Sequence, residues 1–399
     1  MSKAKESAAE ARVSLSSNIS LILGLIHEHR SITRSELCQI TGLTRSTVAK
    51  LVSSLTELGL VTESGVEQID RVGRPSHSVE AADNVIAISV HPEVDFLEVK
   101  AVSFNGQIIK SERKLYPQPV GPVQAVEDTV DLIEKLTKAL HDSPIDFKVL
   151  GAGVIIPRRI NASTGVVRQA PHLQWFEYPM RDELQTKLKM PVRVGNDASL
   201  GCKAEVTYGA AKGSSEVVYL HGSSGIGGGV YMGGAELIGF GGYAGELGHM
   251  RISSSSAGDY SGIPGTLEAL VRREDLEKAL GLSQVSDEVL ETALLNDRTP
   301  ASTALVKRQL EALAIGVANF ANIFNPEVVV LAGFLGGIYR FDQKYFHQIL
   351  RRHAIPAAME GFQVFIGELG SNSLAIGASE LIFEDLIQDP NKYAGVGLT

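Results

Sequence analysis

Two groups of residues in this chain have types and spacings suited to chemistry. The first is Arg45, Ser46, Thr47 and Lys50, hydrogen-bonding side chains spaced to share the open face of one short helix, where they could read base edges. Thr44, Arg34, Arg71 and Arg74 lie close to it in sequence and are candidates for phosphate or minor-groove contacts. The second is a glycine run, Gly222-Ser223-Ser224-Gly225-Ile226-Gly227-Gly228-Gly229, read as a loop that lets backbone amides approach a phosphate or a sugar. Tight hairpins also use glycine, so the run takes its meaning from its neighbours.

The elements that must position the first group are legible. Thr33-Arg34-Ser35-Glu36 is a capping box, in which hydroxyl and carboxylate satisfy orphan amides at a helix start. Leu37 and Ile40 give that short helix its apolar side, and Thr41-Gly42-Leu43 turns the chain. A second helix opens at Thr44 with Val48, Leu51, Val52, Leu55 and Leu58 on one stripe, opposite Arg45, Ser46, Ala49, Lys50 and Ser53. An upstream helix, roughly Asn18 to His29, adds Ile19, Ile22, Leu23 and Ile26 as a third wall. Leu60-Val61-Thr62 and a segment ending at Ser78-Val79 flank Arg71-Val72-Gly73-Arg74-Pro75, which reads as a two-stranded wing with a basic tip. Residues 1–82 are therefore expected to form a mostly α winged helix-turn-helix, with its second helix in a major groove and wing arginines suited to an A·T-rich minor groove. Residues 1–82 hold nine Lys and Arg against nine Asp and Glu, yet Arg30 to Lys50 carries four basic residues against one Glu, which concentrates positive charge where phosphates should lie.

The rest of the composition excludes several classes. At 399 residues, with 44% hydrophobic and 21% charged residues, the chain can bury a large core in two or three domains. Its net charge of −9 falls entirely after residue 82, which argues against non-specific coating of nucleic acid by the body. Cys38 and Cys202 fall in different expected domains and are read as core thiols in a reducing compartment. The N-terminus lacks the apolar stretch of a signal peptide. The most apolar run, Val328 to Tyr339, is shorter than the roughly 20 residues a membrane span requires. A cytoplasmic protein without membrane contact is expected.

Glu80 to Asn84 reads as a short linker, after which the pattern turns extended. Val85 to Val90, Phe96 to Phe104 and Gln107 to Leu115 are expected strands, followed by a helix with Val123, Val126, Val130, Ile133, Leu136 and Leu140 and a strand near Phe147 to Ile155. The same order recurs: strands at Glu216 to His221, Gly228 to Met232 and Ala235 to Ile238, a helix at about Thr303 to Asn322 and a strand at Val328 to Ala332. Duplicated β-β-β-α-β units predict an α/β, two-lobed, actin-like or ribonuclease-H-like fold. The first lobe is expected over 83–198, completed by a C-terminal helix within 370–399, and the second over 199–369.

Gly245-Glu246-Leu247-Gly248-His249-Met250, downstream of the glycine run and of Asn196-Asp197-Ala198, resembles the signature of the ROK family of repressors and sugar kinases. With its helix-turn-helix and Gly-Arg-Pro wing the chain is similar to the family's xylose and N-acetylglucosamine repressors. The resemblance implies that Asn196 and Asp197 contact a sugar, with the aspartate placed as a kinase's general base, and that Glu246, His249 and Glu268 hold sugar hydroxyls. Three departures qualify it. The family's first phosphate loop, D-x-G-G-T, is Ser89-Val90-His91-Pro92-Glu93 here, where proline removes an amide donor and Glu93 and Asp95 repel phosphate. The family's zinc segment, C-x-C-G-x-x-G-C-L-E, has Asp259, Ser261 and Thr266 in place of its three cysteines. Pro157-Arg158-Arg159 and His172 replace small neutral groups on the sugar side, and two readings stand open: Arg158, Arg159 or His172 receives an anionic ligand, or they lie on a solvated loop of a pocket that has drifted from sugar binding.

No catalytic residue, cofactor or metal is therefore expected. The resemblance implies a transcriptional repressor of carbohydrate-related genes, binding a palindromic, A·T-rich operator as a homodimer or tetramer. A sugar or sugar phosphate in the interlobe cleft would modulate it. The alternatives are a sugar kinase with a DNA-binding extension and a regulator controlled by a protein partner.

Overall fold

The capping box at Thr33 forms as the local sequence dictates: the Glu36 amide donates to the Thr33 hydroxyl at 3.2 Å, and the Thr33 amide donates to the Glu36 carboxylate at 2.8 Å. The structure, a computed structural model, describes residues 17–64, 78–157, 159–161, 164–170, 173–240 and 244–393. A helix over 17–29, α1, leads into strand β1 (Ser31–Thr33), then α2 (Arg34–Thr41) and α3 (Arg45–Glu57). Gly42, with φ at 69°, adopts the left-handed conformation that ends α2 with least strain. Strands β2 (Val61–Ser64) and β3 (Ser78–Ala81) pair antiparallel, and β1 adds to β3, so the wing is part of a three-stranded sheet. The wing tip, with Arg71 and Arg74, lies outside the described residues.

Contacts divide the chain into a first unit, Met1–Ile155, Ala162–Val194 and Ala378–Thr399, and a second, Ile156–Asn161 and Gly195–Gly377. The first unit thus unites the helix-turn-helix with the first lobe, and the main segment of the second runs from Gly195 to Gly377; the sequence expected divisions at 82, 198 and 369. Its larger sheet has the order β11-β7-β4-β5-β6, built from β4 (Val85–Pro92), β5 (Phe96–Ser103), β6 (Ile108–Leu115), β7 (Lys148–Ile156) and β11 (Val192–Asn196), with α4 (Pro122–His141) between β6 and β7 in sequence. The strands β4 to β6 run antiparallel in succession while β7 joins β4 in parallel. After β8 (Arg159–Asn161), strands β9 (Val166–Ala170) and β10 (Trp175–Tyr178) pair antiparallel and lead to α5 (Met180–Leu188). Asp128 of α4 is buried and accepts bonds from Tyr116 at 2.7 Å and from Lys114 and Gln124 at 2.8 Å, which ties the helix to β6 and the residue after it.

Two local expectations are corrected here. The proposed linker at 80–84 is packed structure: Glu80 and Ala81 belong to β3, Ala82 is buried, and its amide donates to the Leu60 carbonyl at 3.0 Å. The apolar residues of the helix-turn-helix share one core with Val85, Ala87, Phe104 and Leu150 of the lobe, so burial leaves no free connector. Ile40 is 53% exposed, because α2 stops one residue later and Leu37 is its only buried side chain. Of the two thiols, Cys202 is buried and Cys38 half-buried.

The second unit repeats the sheet plan as β14-β13-β12-β15-β16, with β12 (Val217–Gly222), β13 (Ile226–Met232), β14 (Ala235–Glu236), β15 (Val328–Gly333) and β16 (Gln363–Ile366). Here β14 is two residues long, shorter than the segment to Ile238 that alternation suggested. Helix α6 (Asp197–Tyr208) precedes this sheet; α7 (Leu267–Leu270), α8 (Arg273–Ala279), α9 (Asp287–Asn296) and α10 (Pro300–Phe324) separate β14 from β15, and α11 (Phe334–Phe341) and α12 (Gln343–His353) follow. Val218, Leu220, Leu313, Val317, Phe320, Val329 and Leu331 belong to one buried core, the shared interior of the sheet and α10. The last helix, α13 (Ser373–Gln388), begins in the second unit and ends in the first. Among the described residues no helix is long and apolar enough to cross a membrane.

Candidate DNA-reading face and ligand site

The polar face of α3 is built by its buried one. Val48, Leu51, Val52 and Leu55 are sealed in the core, which leaves Arg45, Ser46 and Lys50 exposed and Thr47 half-buried. Thr44 caps the helix, accepting from the Thr47 amide at 3.3 Å, and its hydroxyl lies 3.0 Å and 2.9 Å from those of Ser46 and Thr47. The helix therefore presents a hydroxyl cluster at its N-terminal end and two cations beside it, groups that can bond both phosphates and base edges. Arg34 pairs with Glu63 of β2, so its guanidinium is partly engaged within the module.

The ligand-side residues gather around the first three residues of β13. Asn196 caps α6, its side-chain oxygen accepting from the Ala198 and Ser199 amides at 3.0 and 3.2 Å, and Asp197 is the first residue of the helix. The buried Glu268 accepts the Ile226 amide at 2.8 Å. Glu246 and His249 bracket a short 3-10 turn (Leu247–His249), where a Cβ on Gly248 would stand 2.0 Å from the Ile226 carbonyl oxygen. Residues 226–228 are thus the common neighbour of the Asp197 helix end, Glu268 and the Glu246–His249 turn. Three carboxylates, an amide and an imidazole around one strand can hydrogen-bond a set of hydroxyls.

The glycine run is corrected in its role. Only 223–225 form a loop; Gly227, Gly228 and Gly229 lie inside β13, each paired with β12. Successive residues of a strand face opposite sides, and the close approaches alternate accordingly. A Cβ on Gly227 or Gly229 would come within 2.9 Å of Ala198 Cβ or 2.5 Å of Cys202 Cβ on α6, while one on Gly228 would stand 2.5 Å from the Gly245 carbonyl oxygen. These glycines let a helix and a turn close on the two faces of the strand. Phe334 and Leu335 at the start of α11 lie against Gly222, where a Cβ would meet them at 2.6 and 2.7 Å.

The segment in the family's zinc position was read as a loop stripped of ligands, and the structure shows what took their place. Asp259 Oδ2 accepts from His249 Nδ1 at 2.7 Å and from the Thr266 hydroxyl at 3.0 Å, and Oδ1 accepts the Ser261 and Ile263 amides at 2.8 and 3.0 Å. All three positions that carry cysteine in the family pattern therefore serve one buried carboxylate. Burial pushes the Asp259 carboxyl up, but the donors, His249 first among them, outweigh it and hold it below the usual carboxylate range. Ligand atoms of His249, Asp259 and Glu268 lie within 4.8 Å of one another. A metal ion does not fit among them, since both Asp259 oxygens are already engaged and the histidine nitrogen stands at hydrogen-bond distance. The Asp259 clasp was missed from sequence because it was sought as a metal site; Asp-x-Ser, a common turn motif, was the available signal. Arg158 and His172 lie outside the described residues, as does the Arg159 side chain.

Comparison with known proteins follows the same division. The ROK family profile matches residues 94–384, and the MarR family profile matches residues 16–68. The xylose repressor of Caldicellulosiruptor bescii is 26% identical over 392 residues, covering 94% of this chain and 97% of the relative. A crystal structure described as a ROK family transcriptional regulator, homolog of the E. coli MLC protein, superposes with a TM-score of 0.76 at 19% identity, covering 94% and 97% of the two chains. A ROK hexokinase from Thermus thermophilus gives 0.59 at 24% identity, with 75% of this chain and 99% of the other covered. At these identities the two structures establish a shared fold.

Proposed function

The chain belongs to the ROK family, and from that premise we propose a sugar-responsive transcriptional repressor that reads operator DNA through α3. A sugar or sugar derivative bound around Asp197, Glu246, His249 and Glu268 sets its affinity for the operator. The observation that carries this reading is the pairing, in one chain, of an exposed hydroxyl-and-cation helix face with a carboxylate set gathered around β13. Resemblance to a xylose repressor over nearly the full length of both proteins supports it.

The same premise argues against phosphoryl transfer. Pro92 and Glu93 stand at the β4–β5 corner where a kinase needs amides, and Phe334 and Leu335 pack against Gly222 at the second corner. Asp197 then acts as a hydroxyl acceptor without a phosphoryl donor. In this reading the protein is a homodimer on a palindromic, A·T-rich operator, its two α3 helices about 34 Å apart or a multiple of that. Arg45, Ser46, Thr47 and Lys50 contact bases, and Thr44, Arg34, Arg71 and Arg74 contact phosphate or the minor groove.

The test is a gel shift on the DNA upstream of the protein's own gene, repeated with D-xylose, other neutral sugars and their phosphates. A specific shift relieved by one of them is expected. Phosphorylated sugars belong in the panel because of Arg158, Arg159 and His172. Absence of any specific duplex together with ATP turnover on a sugar would replace this reading with the kinase one, and a shift insensitive to every sugar would favour control by a protein partner.

A further inference from the structure

Asp259, in the second unit, stands where the family pattern has a cysteine, and it gathers hydrogen-bond donors instead of a metal. Its side chain is fully buried, and its two oxygens divide those donors by kind. Oδ1 meets only backbone amides, those of Ser261 and Ile263, which can do nothing but donate. Oδ2 meets only side chains, His249 Nδ1 at 2.7 Å and the Thr266 hydroxyl at 3.0 Å, either of which could donate or accept. An ionised carboxylate offers lone pairs alone, so it decides the matter for both.

The His249 hydrogen must then sit on Nδ1, and a neutral ring so protonated carries its lone pair on Nε2. That second nitrogen stands 3.7 Å from Glu246 Oε2. A metal ion would do the reverse: bound through the Nδ1 lone pair, it leaves the hydrogen on Nε2. Thr266, its hydrogen given to Asp259, accepts the Ala269 amide at 3.2 Å and so caps α7. Glu268 lies in the first turn of that helix, 3% exposed, where it accepts the Ile226 amide. The backbone keeps His249 and Thr266 close, since the Leu267 amide donates to the Met250 carbonyl at 3.0 Å and the Ile252 amide to the Gly265 carbonyl at 2.9 Å.

We propose that Asp259 is a positioning residue of the ligand site, which fixes the His249 hydrogen on Nδ1, makes Nε2 an acceptor beside Glu246, and sets the Thr266 cap of the turn that carries Glu268. This rests on the reading of these residues as a sugar site, and it adds what the site demands of its ligand. Two acceptors 3.7 Å apart each need a hydrogen, and one hydroxyl has a single hydrogen to give. The pair therefore selects two neighbouring hydroxyls, the vicinal diol of a neutral sugar. A lone hydroxyl leaves one acceptor unmet, and an anionic oxygen meets neither.

Asp259→Asn keeps the shape and reverses the choice. Its amide oxygen is claimed by the Ser261 and Ile263 donors, so its NH2 replaces Oδ2 and donates to His249, which then accepts at Nδ1 and carries its hydrogen on Nε2. Nitrogen NMR of the full chain with 15N-labelled histidine rings reads this directly at about pH 8, His249 being assigned among the ten histidines by the resonances missing from His249→Gln. Wild type should show the Nδ1–H form with and without chelator, and Asp259→Asn the Nε2–H form. Isothermal titration of D-xylose should give at least about threefold weaker binding to Asp259→Asn, the loss of one accepted hydrogen bond. The proposal is overturned if wild-type His249 carries its hydrogen on Nε2, if chelator changes its signals, or if Asp259→Asn keeps the Nδ1–H form. An inverted ring with unchanged D-xylose affinity overturns it as well. Should Asp259→Asn fail to fold, the wild-type spectrum decides alone. A wild type that gives the expected spectrum but no heat with D-xylose or other neutral sugars would sink the sugar reading while leaving Asp259 as the group that sets the ring.

Discussion

The corner between β4 and β5 and the corner between β12 and β13 occupy the same place in the repeated strand order, yet they are closed by opposite materials. In the first lobe Pro92 pairs with Leu97, the Glu93 amide donates to the Phe96 carbonyl at 2.7 Å, and His91 Nε2 stands 3.4 Å from Glu93. In the second, Gly222 pairs with Ile226, and the Ser223 amide donates to the Gly225 carbonyl at 3.0 Å. The first corner is side-chain rich and anionic; the second is bare backbone pressed by neighbours. One fold plan therefore closes the same corner in two ways, and glycine stands where a turn and a helix close on the strand.

If packing preserves the second corner, the largest effect should follow from filling it. Gly248→Ala places a methyl against the Ile226 carbonyl and should cost about 3 kcal/mol in urea unfolding, whereas Glu93→Ala in the first corner should stay within about 0.5 kcal/mol. Equal losses would break the contrast.

Next comes a difference in how each lobe uses a buried carboxylate. Asp128→Asn should destabilise by about 1–3 kcal/mol, since its Lys114 and Tyr116 donors lose a charged acceptor. Burial alone would raise this carboxyl, but the Lys114, Tyr116 and Gln124 donors hold it below its ordinary value. A depressed folded value means stabilisation is fully present above about pH 4 and fades as pH falls through it. Thermal unfolding of wild type and variant should therefore converge in acid and diverge toward neutrality. In the second lobe, Asp259→Asn should lower the melting temperature at neutral pH, and chelator added to wild type should leave it unchanged; a drop with chelator would restore a metal to the His249 loop.

Smaller is the change expected at the reading face. Lys50→Ala should weaken operator binding about equally across related duplexes if it meets phosphate, and reduce the salt slope by about one. Smallest of all, Mg-ATP should shift neither the wild-type melting curve nor that of Glu93→Gln, and a clear rise would revive the nucleotide corner.

What was legible in the sequence was local. The Thr33–Glu36 box, the α3 stripe and both strand repeats depend on residues a few positions apart, where periodicity and capping rules act. The glycine run was misplaced because its need for glycine comes from Ala198, Cys202 and Gly245, which no spacing rule connects to it. Ile40 followed the helical period but lies exposed in the last turn of a short helix. The His27–Glu380 bond joins residues 353 positions apart, and nothing near either one signals the other. The candidate site at Asp197 and Glu268 lies between these cases, suggested by motif resemblance rather than by pattern.

The mounting of α1 has a consequence for how the protein meets DNA. With His27 stacked on Phe104 and its imidazole bound to Glu380, the reading helices are not on a leash. The disorder that a tethered head surrenders at the instant of capture has here been surrendered already, during folding. Such a head wobbles little, forgives little misalignment of the duplex it meets, and loses that sharpness if its footing is cut.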